Sequence, residues 1–403
     1  MSHIAPRLTR ACFTGVIALV ICVLSGPVEA VPKLNEAPKI DVYTMGVGDL
    51  FTEKFGHAAI CTRYPSRPSR DRCYNYGTTD FRDPFGLGCG FVRGRSRFWV
   101  SVTTPEIMMD LYTFKDRTVY VQELELLEEQ ARAIAKKLRF DSQEANRYYN
   151  YHHYFDNCTT RIRDMIDEHT GGLLSNDSDT IIGPTYRDLT RRGFAHSPVL
   201  SITSDYVLGR VGDEYPTEYQ GMFLPDVFRE SLRTRLGAEP IVLYEREGPA
   251  FSQSPGAERI LILIFTLLLV APLWWCLSRG VWRRSMILPA VLGLFLGGFV
   301  LWFLAVLSPL PMARYNENLL LLFPGDILLV LLLAERRKRY AQGRVVIVLL
   351  AVVASGVGLL AQPLWTAAAL PVLALLPFAL GLADPLKKKA ASAASDESEA
   401  AAD

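Results

Sequence analysis

The chain has 403 residues, is half hydrophobic, and carries a formal net charge of only +1. That balance excludes nucleic acid as a bulk electrostatic partner. The hydrophobicity is uneven: residues 31–255 are rich in Arg, Asp, Glu and Tyr, whereas 260–382 are almost wholly apolar, so a soluble region long enough for its own core precedes a membrane half.

Residues 1–30 have the plan of a secretory signal peptide: Arg7 and Arg10, an apolar run from Ala11 to Leu24, and Val28-Glu29-Ala30 as a small-residue cleavage site. An uncleaved anchor helix is the alternative, and either form exports residues 31–255. No cysteine directly follows Ala30, so the protein is not expected to be a lipoprotein itself. Export places Cys61, Cys73, Cys89 and Cys158 in an oxidising compartment. Cys61 and Cys73 flank a polar loop and can pair. Cys89 is the other candidate partner, and two disulfides that include Cys158 are a further possibility. No Cys-x-x-Cys or spaced His/Cys cluster of the zinc kind occurs, so neither metal nor cofactor is expected.

Ile40 to Met45 alternates and predicts a strand, followed by a turn at Gly46 to Asp49. Gly56 to Cys61, Cys73 to Tyr76, Phe98 to Val102 and Thr118 to Leu124 are further strand candidates. Glu125 to Phe140 predicts a helix, with Leu127, Ala131, Ile134, Ala135 and Leu138 on one stripe.

The next helix carries the chemistry. Asn157 is a favoured N-cap, and Gly171-Gly172 ends the segment. Ile162, Met165 and Ile166 form the expected buried face, with Arg163, Asp167 and Glu168 outward. Cys158 then sits in the first turn, where the helix dipole favours a thiolate and free N–H groups near Asn157 can hold an oxyanion. A base is available among His57, His152, His153, His169 and His196. His57, at the start of a strand, is the choice that presents an imidazole to a helix terminus. Asn75 or Tyr74 on the next strand is placed to orient it. The aromatic approach from Tyr148 to Phe155 reads as packing, with Tyr154 a candidate substrate contact. Arg161 and Asp164, one helical step apart, are expected to form a structural pair.

In the membrane half, five apolar segments are read at 260–277, 286–307, 319–334, 345–362 and 366–382, each near the length that spans a bilayer. The third carries Pro324, Gly325 and Asp326 and is expected to be kinked or buried. Residues 278–285 hold a net charge of +3 and 335–344 of +4, while in 308–318 Arg314 and Glu317 cancel and 363–365 hold no charge. This alternation puts residues 31–255 outside and the C-terminus in the cytoplasm. The domains are therefore 1–30 signal peptide, 31–255 exported, 256–385 membrane bundle and 386–403 a disordered cytoplasmic tail. Asn316 and Asn318, in the outer loop 308–318, are suited either to bind a lipid headgroup or to order the loop.

A strand-borne His followed by a helix-borne Cys reverses the papain order and resembles the permuted, NlpC-type papain-like α+β fold. More closely, the chain resembles the Lnb family. The matching residues are Phe55-Gly56-His57-Ala58-Ala59-Ile60, Tyr74-Asn75-Tyr76-Gly77-Thr78-Thr79-Asp80-Phe81, Asp156 to Asp164, Phe223-Leu224-Pro225 and Tyr315-Asn316-Glu317-Asn318. The family's loop before Asn-x-Asn often carries a histidine, and Ser308 to Arg314 has none, which argues against a catalytic role for that loop. The resemblance implies an acyltransferase in the bacterial inner membrane with its catalytic domain in the periplasm. Its acyl donor would be a phospholipid, its acceptor the α-amino group of an exported lipoprotein's lipidated N-terminal cysteine, and its intermediate a Cys158 thioester. A peptidoglycan amidase or endopeptidase, or a lipase, of the same fold would use the same pair. A non-enzymatic sensor or scaffold would bury Cys158 or oxidise it. A transporter fits worst, because the spans hold few ionisable residues beyond Asp326.

Overall fold

The structure, a computed structural model, describes residues 36–80, 82–251 and 258–382. The signal segment and the tail expected from residue 386 lie outside the described residues. In chain order the principal elements of the N-terminal domain are β1 (Lys39–Met45), β2 (His57–Arg63), β3 (Arg72–Thr78), α1 (Pro84–Val92), β4 (Arg97–Thr103), α2 (Pro105–Phe114), β5 (Val119–Leu124), α3 (Glu128–Asp141), β6 (Tyr148–Asn150), α4 (Cys158–Thr170), α5 (Tyr186–Phe194), α6 (Pro198–Val207), α7 (Pro225–Leu236) and β7 (Ile241–Tyr244). The strands make one antiparallel sheet in the order β6-β4-β3-β2-β1-β5-β7. All five expected strands are present. The two short edge strands, of three and four residues, are too brief to show a period.

Alternation divides the sheet's side chains between two cores. Val42, Ala58, Ile60, Tyr74 and Tyr76 meet Ile134 and Leu138 of α3 and Ile162, Met165 and Ile166 of α4. On the opposite face Tyr43, Met45, Ala59 and Cys61 pack under Met108 and Tyr112 of α2. Burying such side chains contributes roughly 1.5–3 kcal/mol each, which fixes α4 on one face and leaves its first turn at the sheet's end. Two charged residues expected to face outward from α4 are instead buried. Arg163 reaches the Tyr219 carbonyl at 2.8 Å and lies over that ring, and Asp167 accepts the N–H groups of Leu174 and Ser175 at 2.8 and 3.0 Å. Their partners come from segments beyond the helix, which helical periodicity does not register.

Cys61 and Cys73 are cross-strand partners on β2 and β3 and form a disulfide, while Cys89 and Cys158 are free thiols. The sequence separation of 12 residues gives a loop-closure stabilisation of about 3 kcal/mol. Replacing both cysteines by alanine in the full chain should therefore lower its melting temperature clearly. An unchanged melt would show that the bond contributes nothing.

The membrane half contains α8 (Glu258–Ser278), α9 (Arg284–Leu307), α10 (Ala334–Gly356) and α11 (Ala369–Ala379). Among the described residues, three helices are long and apolar enough to cross a membrane: Ile260–Ser278, Arg284–Leu307 and Ala334–Gly356. Five full-length spans are therefore not what forms. The third expected segment is a run of 3-10 turns (Glu317–Leu320 and Pro324–Val330), and the fifth is an 11-residue helix. Pro324, which opens the second turn run, lacks the N–H that an α-helix continuing through it from residue 319 would need. The buried Asp326 then accepts hydrogen bonds from Arg344 Nε at 2.9 Å and Tyr340 OH at 2.8 Å. Arg344 also satisfies the carbonyl of Leu321 at 2.9 Å. Irregular backbone at membrane depth survives where protein groups satisfy it.

The two halves are joined by backbone as well as side chains. Gly209 N–H donates to Met312 O at 2.5 Å and Arg210 N–H to Tyr315 O at 2.8 Å. Asn316 Nδ2 donates to Tyr206 O (2.7 Å) and Val207 O (3.1 Å), and Asn318 Nδ2 to Tyr206 O (3.4 Å). Arg187, buried, braces the receiving turn through Asp213 and the Leu208 carbonyl. Asn316 and Asn318 are themselves buried. Of the two uses open to them, loop ordering is the one these bonds serve, and headgroup binding would require breaking them.

Candidate active site

The Phe55-Gly56-His57 turn delivers the imidazole. Gly56 has φ +79°, and a Cβ there would lie 2.8 Å from the Met45 carbonyl, so only glycine lets the chain enter β2 opposite Met45. By alternation His57 shares the face of Ala59 and Cys61 and stacks against Tyr112, with ring centroids 6.0 Å apart. Asn75, on the same face of β3, meets His57 Nε2 with its Oδ1 at 3.4 Å. With Nε2–H donating to Asn75, Nδ1 is left to accept the thiol proton.

Cys158 arrives from the other face. It meets the histidine at Gly77, where β3 and β4 slip register between Asn75 and Thr78. Gly77 has φ +87°, and a Cβ on it would sit 3.3 Å from Cys158 Cβ and 4.0 Å from His57 Cε1. The bulge and the missing side chain open the gap through which thiol and imidazole meet. Burial pushes the Cys158 thiol up. The charge and hydrogen bond of His57, with smaller help from the Ala58 N–H and the Thr159 hydroxyl, bring it down to about 7.

Asn157 caps α4, as its position implied. Its Oδ1 accepts the N–H groups of Thr159 (2.8 Å) and Thr160 (2.9 Å), and its Nδ2 donates to the carbonyls of His153 (2.8 Å) and Phe223 (2.9 Å). The cap therefore consumes two of the N–H groups expected to hold an oxyanion and leaves that of Cys158 itself. A second donor, absent from the sequence reading, is Tyr149. Its hydroxyl is buried without a partner, and it lies 3.9 Å from the point where a Gly77 Cβ would be. Burial, then the neighbouring thiolate, raises the phenol well above its ordinary range, so it stays a neutral donor.

Arg161 and Asp164 do not pair. Arg161 makes a fork to Asp156 (2.6 and 2.9 Å) and lies 3.8 Å over the Tyr149 ring, while Asp164 accepts from Arg163 (2.7 Å) and Tyr219 OH (2.8 Å). The bidentate geometry to Asp156, just before the cap, outweighs a single-contact helical pair. Arg161 thereby holds Tyr149 in place.

Of the other histidines, His152 and His153 share a cavity wall with Cys158 and His57. His152 Nδ1 accepts the N–H groups of Tyr154 and Phe155 at 3.3 Å. His153 is packed among Phe55, Tyr154 and Phe223, and burial, then His152, lowers it to about 3. His169 bonds to the Met165 carbonyl at 2.8 Å. No group of three metal-ligating side chains occurs among the described residues.

Cys158 and His57 line a cavity of about 410 Å³, within the usual range of ligand sites. Its walls are largely aromatic, with Phe51, Phe91, Phe98 and Tyr151 among them, and the loop between membrane helices closes one side with Leu310, Met312 and Ala313. Tyr154 lines it too, but its hydroxyl is bound to Thr190 at 2.6 Å, so it offers the cavity its ring.

A Cys–His–Asn constellation at a helix start, opening into an apolar cavity roofed by a membrane-helix loop, defines a thiol-type site on a membrane-attached domain. Residues 35–192 match the family model of the Lnb N-terminal periplasmic domain, and this domain belongs to the Lnb family. No curated protein and no solved structure matches the chain.

Proposed function

We propose that the protein is a lipoprotein N-acyltransferase that works through a Cys158 thioester. The observation that carries this reading is the apolar cavity itself: a nucleophile and its base open into a space walled partly by Leu310 and Met312 of the membrane half, where an acyl chain is at home. A peptidoglycan hydrolase requires neither that wall nor that polarity.

Cys158 Sγ, its proton taken by His57 Nδ1, attacks the ester carbonyl of a phospholipid. The Cys158 N–H and Tyr149 OH hold the oxyanion, the C–O bond breaks, and the lysophospholipid oxygen takes the proton from His57. The α-amino group of the acceptor's lipidated N-terminal cysteine then attacks the thioester. The C–S bond breaks, the amine proton passes to His57 and the thiolate is restored. The family's periplasmic domain and the three long apolar helices support placing this chemistry on the periplasmic side of the bacterial inner membrane, with the chain multi-pass and its C-terminus cytoplasmic.

The test is intact mass spectrometry of a diacylated lipoprotein peptide incubated with the full-length protein and phospholipid. The reading requires a gain of one acyl chain on the amine. Free fatty acid or cut peptidoglycan without that gain would make the protein a hydrolase. In the same assay Tyr149→Phe should slow acylation by roughly 10²-fold, the usual cost of one oxyanion donor, with an unchanged melting temperature. Near-normal turnover would remove Tyr149 from the mechanism.

A further inference from the structure

A second cavity, of about 470 Å³, shares Phe55, Gly56 and Pro225 with the thiol cavity and differs from it in character. Four cations, Lys54, Arg192, Arg229 and Arg246, line it against two carboxylates, Asp226 and Glu245. Asp226 is committed to Arg192 at 2.9 Å. Lys54 is only 5% exposed, and its ammonium reaches the Gly48 carbonyl at 3.1 Å and lies 5.5 Å over the Phe251 ring. Among the described residues no carboxylate forms an ion pair with it. Arg229 stacks on Tyr120 and touches the Thr44 hydroxyl at 3.4 Å. His196, against Phe251, has a buried Nε2 with no partner. Burial lowers both Lys54 and His196 from their ordinary values, and the opposing pull of Asp49 on both, with Glu53 on Lys54, does not offset it.

An ammonium withdrawn from water without an anion is costly, and a bound anion offsets that cost. The wall segment Glu245 to Phe251 comes shortly before the first membrane helix, which begins at Glu258, in the chain. This cavity and the one that holds Cys158 share the Phe55–Gly56 turn and Pro225 in their walls. In a glycerophospholipid the phosphodiester and the acyl ester are a few bonds apart, so one donor molecule can address two neighbouring cavities. We infer that this cavity holds the phosphodiester of the phospholipid donor while its acyl ester lies at Cys158. The inference rests on the phospholipid reading of the thiol site.

The test uses full-length Cys158→Ala protein and calorimetric binding of dihexanoyl-phosphatidylethanolamine, dihexanoylglycerol and inorganic phosphate. The phospholipid should bind about tenfold or more tightly than the diacylglycerol. Lys54→Met or Arg229→Gln should remove most of that difference, as loss of a charge-assisted bond does, and leave diacylglycerol binding unchanged. In protein with Cys158 intact, each variant should raise the KM for phospholipid by a similar factor. Lys54→Met should melt no lower than wild type, because it removes an unpaired buried charge. Equal binding of the two lipids, or an unchanged KM in both variants, would overturn the assignment. So would inorganic phosphate binding as tightly as the phospholipid, which would make this a free-phosphate site. A phospholipid preference that depends on Lys54, without any peptide acylation, would sustain the anion site and sink the transferase reading instead.

Discussion

Cys158→Ala is expected to abolish acyl transfer, with a loss on the order of 10⁴-fold or more, the scale seen when a covalent nucleophile is removed. The side chain is small and half-buried, and the cap that fixes the turn belongs to Asn157, so α4 should keep its place and the melting temperature should hardly move. Cys158→Ser should be nearly as inactive: a hydroxyl is a far weaker nucleophile unless strongly activated, and an ester intermediate is a poorer acyl donor to an amine than a thioester. Wild type incubated with phospholipid alone should gain the mass of one acyl chain on the protein, and the alanine variant should not. Turnover within tenfold of wild type in Cys158→Ala would refute the nucleophile assignment, whatever the fate of the substrate assignment.

His57→Ala is expected to cost about 10²–10⁴-fold in turnover, the range for a positioned base, and to change how the thiol titrates. In the wild type His57 brings the thiol down to about 7 against the upward push of burial, so thiolate should be available at neutral pH. Alkylation by iodoacetamide should rise through a midpoint near that value. His57 supplies the largest downward influences, and burial, which acts upward, remains when the imidazole is gone. The midpoint must therefore move up, past the ordinary thiol value. At pH 7 the variant would be alkylated far more slowly, and activity that returned at high pH would mark loss of thiolate rather than of fold. Circular dichroism unchanged from wild type, with an alkylation midpoint still near 7, would show that His57 does not hold the thiol. Asn75→Ala, which removes the Oδ1 partner of Nε2, should act in the same direction and more weakly.

Features with a local physical cause were legible in the sequence. Alternation marked the first strand, short strand-like runs marked four more, and a 3.6-residue stripe with an Asn cap and a glycine stop marked α4, because these depend on near neighbours along the chain. Cys158 and His57 were legible for the same reason: a helix start and a strand start are local events that confer chemistry. Hydropathy found the apolar half and its first two helices, but it placed the helix of Ala334–Gly356 too late in the chain and missed the form of the third and fifth segments. Pro324 and the paired Asp326 turned one apolar run into 3-10 turns, and hydropathy measures composition without asking where the backbone bonds go. The tertiary structure alone decided the rest. It joined His57 to Cys158 through the bare Gly77, set the orphan hydroxyl of Tyr149 beside them, and sent Arg161 to Asp156 rather than Asp164. It buried Asn316 and Asn318 against carbonyls more than a hundred residues away and gathered cations from 54, 192, 229 and 246 around one cavity. Each of these is a contact between residues distant in the chain, whose energy depends on packing and desolvation that no local pattern encodes.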